Sequence, residues 1–133
     1  MVGNTPDAMD NPSAVFASLT TLTKRADFLR ASRAKRQSTK GLVLQARKRG
    51  ADEPDPDLIR VGYTCSKKVG NAVKRNRAKR RLRAITREVL PTKGHAGWDY
   101  VLIGRVGTTV DRPYIDMVSD LTYALAVIHG NRK

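Results

Sequence analysis

Apolar and polar residues alternate between positions 58 and 66, a period of two that is typical of a strand with one buried face. Short apolar runs at 42–46 and 98–104 predict two further strands, and the polar segment 33–40 predicts an edge strand. The alternation assigns to the buried face of the first of these strands Ile59, Val61, Tyr63 and Cys65.

Three other segments carry apolar residues three and four positions apart, which is the spacing of one helical face. The first spans 22–33. The second follows Asn71, a good N-cap, and runs over 72–89 until Pro91 stops it. The third spans 111–130. The predicted elements are therefore a helix, three strands, a helix, a strand and a helix.

The length favours one domain, over residues 21–129. Residues 1–20 are rich in Asn, Pro, Ser and Thr and contain no Lys or Arg, so we expect a mobile N-terminal tail, and residues 130–133 form a C-terminal tail. No run of about 18 apolar residues and no secretory signal pattern are present, so we expect a cytoplasmic protein.

Positive charge is concentrated in one segment. The chain carries 26 Lys and Arg against 12 Asp and Glu, a formal net charge of +14. Ten of those cations and no acid lie in segment 67–87, which leaves +4 for the other 112 residues. Such clustering is the electrostatic footprint of a nucleic-acid-binding protein. The segment has no Trp or Phe to enter a membrane surface, so nucleic acid is favoured over lipid.

The second predicted helix has its apolar residues on one side and its positively charged residues on another. Its apolar stripe docks on the sheet, and a separate stripe about 150° away is basic. A merely solvated face would mix acids with bases, because like charges three and four apart repel each other. A basic helix cannot enter the narrow groove of duplex RNA, so the surface would recognise RNA by shape and backbone. The basic stripe consists of Asn76, Arg80, Arg83 and Arg87.

The sequence shows no nucleophile–base pair, metal-ligand spacing or Gly-rich phosphate loop. Cys65, the single cysteine, is interpreted as a packing residue, and His95 as a loop residue without chemistry. Four carboxylates in loop 50–57 lie beside two prolines and are interpreted as solvated. We therefore predict no catalytic side chain and no metal site on the protein.

The run from Ser66 to Arg80, SKKVGNAVKRNRAKR, resembles the signature of the protein component of bacterial ribonuclease P, whose centre is Arg75-Asn76-Arg77. Segments 60–62 and 22–28 resemble the family's other recurrent pieces in order and spacing, and the resemblance covers about residues 22–128.

The resemblance implies an α/β fold, an α+β sandwich in the order αβββαβα similar to domain 2 of ribosomal protein S5. It also implies a left-handed βαβ crossover, an exception to the usual hand. The implied function is that of a protein subunit of an endoribonuclease that removes the 5′ leader of precursor tRNA. Catalysis would belong to the RNA subunit with Mg²⁺ bound mainly by RNA and substrate, and the protein would be a monomeric, cytoplasmic accessory.

Two sets of residues match the family's contacts. The residues that would bind the RNA subunit are Lys67, Lys68, Arg75, Asn76, Arg77, Lys79, Arg80, Arg83 and Arg87. Those that would bind the leader are Phe28, Gln45, Gly62, Thr64 and Ser66. The residues alone left Phe28 open between a core and a surface role. The chain departs from many relatives in having Ser32 one turn after Phe28, where a second aromatic residue is common. Gln45 stands where some relatives have an aromatic residue.

Three alternatives stay open on the residues alone. They are a ribosomal protein of the same fold class, a DNA-binding regulator with its basic helix in a major groove, and a nuclease that acts without RNA.

Overall fold

The computed structural model describes residues 18–130, which form five strands and three helices. The elements are β1 (Ser18–Thr21), α1 (Arg25–Ser32), β2 (Lys35–Ser38), β3 (Leu42–Lys48), β4 (Leu58–Thr64), α2 (Ala72–Lys93), β5 (Trp98–Gly104) and α3 (Tyr114–Ile128), with a single 3₁₀ turn (Lys67–Val69) before α2. The predicted α/β class is confirmed. The predicted order αβββαβα is present, but β1 precedes it.

The strands form one sheet in the order β1-β4-β5-β3-β2. β4 runs parallel to both of its neighbours, β1 and β5, whereas β3 is antiparallel to β5 and to β2. Helix α2 joins the parallel neighbours β4 and β5, so it is the helix of a βαβ crossover. The left hand of that crossover and the likeness to ribosomal protein S5 stay predictions of the family resemblance.

The two faces of the sheet are covered unequally. Helices α2 and α3 pack on one face over the main core, which includes Leu44, Ile59 and Leu102. Helix α1 packs on the opposite face over a smaller cluster that includes Leu22 and Val101. The alternation along β4 is confirmed on its core side, where Ile59 and Val61 are buried. Among residues 18–130, no helix is both long enough and apolar enough to cross a membrane.

The predicted N-terminal boundary was wrong. Residues 18–20, assigned to a tail, belong to β1, where Ser18 to Thr21 pair with Leu58 to Val61. Leu22 continues this pairing, because its amide donates to the Val61 carbonyl at 2.9 Å, so α1 begins at Arg25 rather than at residue 22. A four-residue strand is too short to show a period of its own, and its structure comes from pairing with β4 and from Leu19, which packs against the main core. Residues 1–17 and 131–133, the rest of the two predicted tails, lie outside the described residues.

Helix α2 was predicted to stop at Pro91, but it continues to Lys93. A proline in the last turn removes only one helical hydrogen bond, which is a small loss beside the burial of Val89 and Leu90. The helix closes when the Gly94 amide donates to the Leu90 carbonyl at 2.8 Å.

A buried ion cluster joins the three central strands. The Asp99 carboxylate, fully buried at the start of β5, accepts hydrogen bonds from Arg49 Nη1 at 2.5 Å and from Arg60 Nε and Nη2 at 2.8 Å each. Arg60 lies directly across from Asp99 on β4, and Arg49 follows β3. The carboxylate raises the pKa of Arg60, so the charge on this side chain is held inside the protein. Arg60 also lies 3.4 Å from Asp27 of α1, which connects the cluster to that helix.

A second cluster closes the opposite side of the sheet, where the loop before β5 meets the end of α3. The His95 and His129 rings stack with centroids 3.7 Å apart, and the Trp98 and His129 rings form a T-shaped pair with centroids 4.4 Å apart. The Tyr100 hydroxyl accepts from the His95 amide at 2.9 Å and lies 2.7 Å from His129 Nε2. The phenol can donate to Nε2 only when that nitrogen carries no proton. Burial, with further contributions from His95 and Lys35, lowers the pKa of His129 to about 4.

Replacing Asp99 with Asn should destabilise the fold by about 3–5 kcal/mol, because it leaves two buried guanidiniums without their carboxylate. Urea denaturation of the wild type and of Asp99→Asn measures this. Glu53→Gln is the matched control: it breaks the more exposed Arg47–Glu53 pair, 2.6 Å long, and should cost about 1 kcal/mol or less. Equal losses in the two variants would contradict a central role for Asp99.

His129 predicts a pH dependence of stability. The unfolded chain takes up a proton at His129 near pH 6.5, whereas the folded chain resists it until about pH 4, so stability should be lost as the pH falls through this window. Urea denaturation of the wild type and of His129→Gln between pH 4 and 7 isolates this contribution, because the carboxylates titrate in both proteins. The variant should lose less stability than the wild type on acidification, and parallel pH profiles would contradict the assignment.

Candidate RNA-binding surfaces

Side chains cap both the 3₁₀ turn and the basic helix α2 that follows it. The Ser66 hydroxyl accepts from the Lys68 amide at 3.3 Å and opens the 3₁₀ turn. The Asn71 carboxamide accepts from the Lys74 amide at 3.0 Å and opens α2, which confirms the predicted N-cap. These caps turn the chain sharply from β4 into α2, so the first cations of the segment lie on the surface at the end of the sheet.

The predicted division of α2 into two stripes is confirmed. Its apolar stripe is buried against the sheet and α3, and its basic stripe is exposed. The buried stripe is Ala78, Leu82, Ile85 and Val89. The exposed stripe is Asn76, Arg80, Arg83 and Arg87.

Several cations of the segment also have protein partners. Arg75 Nη1 donates to the Gly70 carbonyl at 2.9 Å and steadies the turn into α2. Arg77 Nε donates to the Val110 carbonyl at 3.2 Å. The Arg83 guanidinium lies 5.3 Å from the centre of the Tyr63 ring, a cation–π distance. Each of these contacts holds one guanidinium in place and uses at most one of its N–H donors.

A groove of about 360 Å³ opens on the α1 side of the sheet. Its centre is Phe28, half-buried, which lies directly over Gly62 of β4. A β-carbon at position 62 would come within 2.4 Å of the Phe28 ring, so only glycine permits this approach. The groove is lined by Thr23, Arg25, Phe28, Tyr63 and Thr64.

A larger and more polar groove, about 490 Å³, continues past the start of α1 towards loop 50–57. Its arginines are neutralised within the protein: Arg30 pairs with Asp27 at 2.8 Å, Arg47 pairs with Glu53 at 2.6 Å, and Arg60 pairs with Asp99. The hydrogen bonds from Arg47 lower the pKa of Glu53 to about 2, so this acid stays ionised. The groove therefore carries far less uncompensated charge than the exposed stripe of α2.

The chain resembles proteins of one family in sequence and in structure. A family model described as Ribonuclease P matches residues 16–128. The ribonuclease P protein component of Ruegeria pomeroyi is 56% identical over 114 residues, covering 86% of this chain and 90% of the relative. That of Paramagnetospirillum magneticum is 49% identical over 118 residues and covers 88% of each chain.

Solved structures of proteins from the same family resemble this chain in fold. The RNase P protein from Staphylococcus aureus aligns with a TM-score of 0.62 at 26% identity, covering 80% of this chain and 93% of that one. The RNase P protein from Thermotoga maritima aligns with a TM-score of 0.61 at 27% identity, covering 86% of this chain and 99% of that one.

The chain belongs to the ribonuclease P protein family. Its function is that of a protein subunit of ribonuclease P, the endoribonuclease holoenzyme that processes the 5′ end of tRNA. This favours the ribonuclease P interpretation over the ribosomal, DNA-binding and protein-only alternatives.

The structure brings most of the residues matched to the family's RNA contacts onto one surface. Lys67 and Lys68 are exposed on the 3₁₀ turn at one end of it, and Arg87 is exposed near the other. Lys79 is half-buried, and so is Arg75. Whether these side chains contact the ribonuclease P RNA stays a prediction.

The residues matched to the family's leader contacts do not all lie at one place in the structure. Phe28, Gly62 and Thr64 meet at the α1-side groove. Gln45 lies on the same face but is only 7% exposed, because it is in the interior of β3 between β2 and β5, so it offers little surface to a ligand. Ser66 lies beyond the end of β4, where its hydroxyl caps the 3₁₀ turn. The predicted strand therefore ends two residues early, and Ser66 is not on the floor of the groove.

Tyr63 was missed as a functional candidate. The alternation assigned it to the core, and burial does raise the pKa of its phenol. Yet Tyr63 also lines the Phe28 groove, because β4 reaches the edge of the core at this point. The sequence feature that could have identified Tyr63 is its position between Gly62 and Thr64, at the end of the strand before the basic turn.

Ser32 leaves the groove without a second aromatic residue on α1. It is exposed, and its hydroxyl donates to the Leu29 carbonyl at 2.6 Å within the helix. Among residues 18–130, no group of three His, Cys, Asp or Glu side chains could hold a metal ion.

Proposed function

We propose that the exposed basic surface of α2 and the preceding turn binds the catalytic RNA subunit of ribonuclease P. The observation that carries this proposal is the exposed stripe itself, since Asn76, Arg80, Arg83 and Arg87 line up on a helix whose single acid, Glu88, comes after them. Such a surface is unfavourable for the free protein and favourable against phosphates, whose counterions it releases. Arginine also binds a phosphate through two parallel hydrogen bonds.

We propose further that the Phe28 groove holds the single-stranded 5′ leader of precursor tRNA. A half-buried aromatic ring in a groove beside Arg25 supports this, because bases stack on aromatic rings while cations hold the backbone. Stacking contributes about 1–3 kcal/mol per base, and with Ser32 in place of a second aromatic residue the leader would depend mainly on Phe28 and on charge.

In this proposal, cleavage is performed by the RNA subunit with Mg²⁺ held by RNA and substrate, and the protein is an accessory without catalytic side chains. It would act as a monomer within the holoenzyme. It would act in the cytoplasm, since precursor tRNA is made there.

Reconstitution of the holoenzyme tests the α2 surface. Wild-type protein should restore cleavage of precursor tRNA by the RNA subunit at low Mg²⁺. Arg80→Ala should weaken RNA binding about tenfold or more, because a hydrogen bond to a charged group contributes about 1.5–3 kcal/mol. It should also reduce the slope of log affinity against log salt by about one.

Two matched variants sharpen this test. Lys93→Ala removes one exposed charge from the other end of α2 and should behave like the wild type. Arg80→Lys keeps the charge and should retain the salt slope while losing part of the affinity. No restoration of cleavage by the wild-type protein would overturn the proposed function.

The leader groove predicts a selective defect. Phe28→Ala should lower holoenzyme affinity for leader-bearing precursor by about 1–3 kcal/mol while leaving mature tRNA binding unchanged. Phe28→Leu is the control for packing, because it preserves apolar contact over Gly62 but removes the flat ring. If Phe28 stacks on the leader, both variants are defective; a normal Phe28→Leu, or equal losses for precursor and mature tRNA, would show that Phe28 serves only the core.

A further inference from the structure

A third groove, about 320 Å³ in volume, lies between α2 and the start of α3. On α2 it is lined by positions 77, 80, 81 and 84. Positions 77, 81 and 84 lie about 100° around the helix from the Asn76–Arg87 stripe, to which Arg80 belongs. Of the residues that line this groove, only Arg77 and Arg80 were matched to the family's RNA contacts; Arg81, Ala84 and Tyr114 were not. The groove is lined by Arg77, Arg80, Arg81, Ala84 and Tyr114.

The wall on the α3 side is held to α2 by arginines. Arg81 donates to the Val110 carbonyl at 2.5 Å and also to the Arg112 carbonyl. Arg77 Nε donates to the same Val110 carbonyl at 3.2 Å. Both guanidiniums thus bind the backbone of the loop before α3, and this brings Tyr114, the first residue of α3, beside α2.

Tyr114 is held in one orientation at the mouth of the groove. Its hydroxyl donates to Glu88 Oε1 at 2.8 Å. Glu88 is the only acid in α2, so the one carboxylate of the basic helix is engaged by this phenol. Burial and the Glu88 carboxylate raise the pKa of Tyr114, which keeps the phenol protonated as a donor. Tyr114 as a whole is 42% exposed.

The groove combines this exposed ring with available cations. Arg80 is exposed and takes part in no hydrogen bond or ion pair with another residue of the described range 18–130, and within that range Arg77 uses only Nε. The small side chain of Ala84 leaves space between the ring and the guanidiniums. An oriented aromatic face beside unneutralised guanidiniums is the combination that binds an unpaired nucleotide, with the base stacked and the phosphate bonded.

A protein partner fits the groove less well. Ile115, 73% exposed, adds an apolar side chain next to Tyr114, but the remaining wall is formed by three arginines. Cores of protein interfaces are depleted in charge, whereas single-stranded RNA sites pair aromatic rings with cations. Charge complementarity therefore favours RNA.

We propose that this groove binds one unpaired nucleotide of the ribonuclease P RNA, with its base stacked on Tyr114 and its phosphate held by Arg77 and Arg80. The inference rests on the proposed function, because it takes the RNA subunit as the partner of α2. It adds a base-stacking site to a surface otherwise expected to contact only the RNA backbone.

Three variants test the stacking site by binding to the ribonuclease P RNA of the same organism. Tyr114→Ala should weaken binding by roughly fivefold or more without changing the salt slope, since stacking releases no counterions. Tyr114→Phe keeps the ring and should stay within about threefold of the wild type by the same stacking argument. Tyr123→Ala is the matched control, because Tyr123 is 55% exposed on the opposite side of α3, and it should bind like the wild type.

Chemical probing of the RNA gives a second readout. One nucleotide should be protected by the wild type, Tyr114→Phe and Tyr123→Ala, and become reactive with Tyr114→Ala. Unchanged affinity and protection in Tyr114→Ala, while Arg80→Ala on the same RNA loses affinity and salt slope, would overturn the stacking site and leave the proposed function intact. Failure of the wild type to bind this RNA would overturn both.

Discussion

The buried carboxylate of Asp99 is the contact on which the positions of the other elements depend. It receives guanidiniums that come from two different strand segments, Arg60 on β4 and Arg49 after β3, so one side chain fixes the ends of the three central strands. Arg49 also donates to the carbonyls of Pro54 and Leu58, which folds the acidic loop back onto the sheet. Five acceptors, four main-chain carbonyls and the Asp99 carboxylate, explain how the buried Arg49 guanidinium is tolerated in a core with few aromatic residues.

The same cluster also affects the Phe28 groove. Arg60 lies between Asp99 and Asp27, and Asp27 is one residue before Phe28 on α1. The ion cluster therefore sets the distance of α1 from the sheet. Gly62, two residues after Arg60, has no side chain, so the Phe28 ring can pack directly on the backbone of β4. Core electrostatics and the proposed substrate contact are in this way parts of one arrangement.

The sequence was informative where a local pattern and the tertiary structure agree. The alternation of β4, the Asn71 cap and the two stripes of α2 could all be read from it, because each depends on residues close together in the chain. Prediction from the sequence failed where the local structure depends on residues far away in the chain. β1 depends on pairing with β4, and Gln45 is buried by strands on both sides of it. The Tyr114 groove depends on arginines that hold a loop 29 and 33 residues away, which no periodicity reveals.

Tyr63 connects the two proposed RNA surfaces. It lines the Phe28 groove on the α1 side, and it also lines a separate groove of about 180 Å³ with Arg83 and Arg87 of α2. The Arg83 guanidinium covers its ring at 5.3 Å. A strand residue normally serves one face of a sheet, but β4 ends at Thr64 beyond the last paired residue of β1, so Tyr63 lies at an open corner. In the proposed complex, a leader on Phe28 and the RNA subunit on α2 would therefore meet across one tyrosine, and each ligand would alter the surface offered to the other.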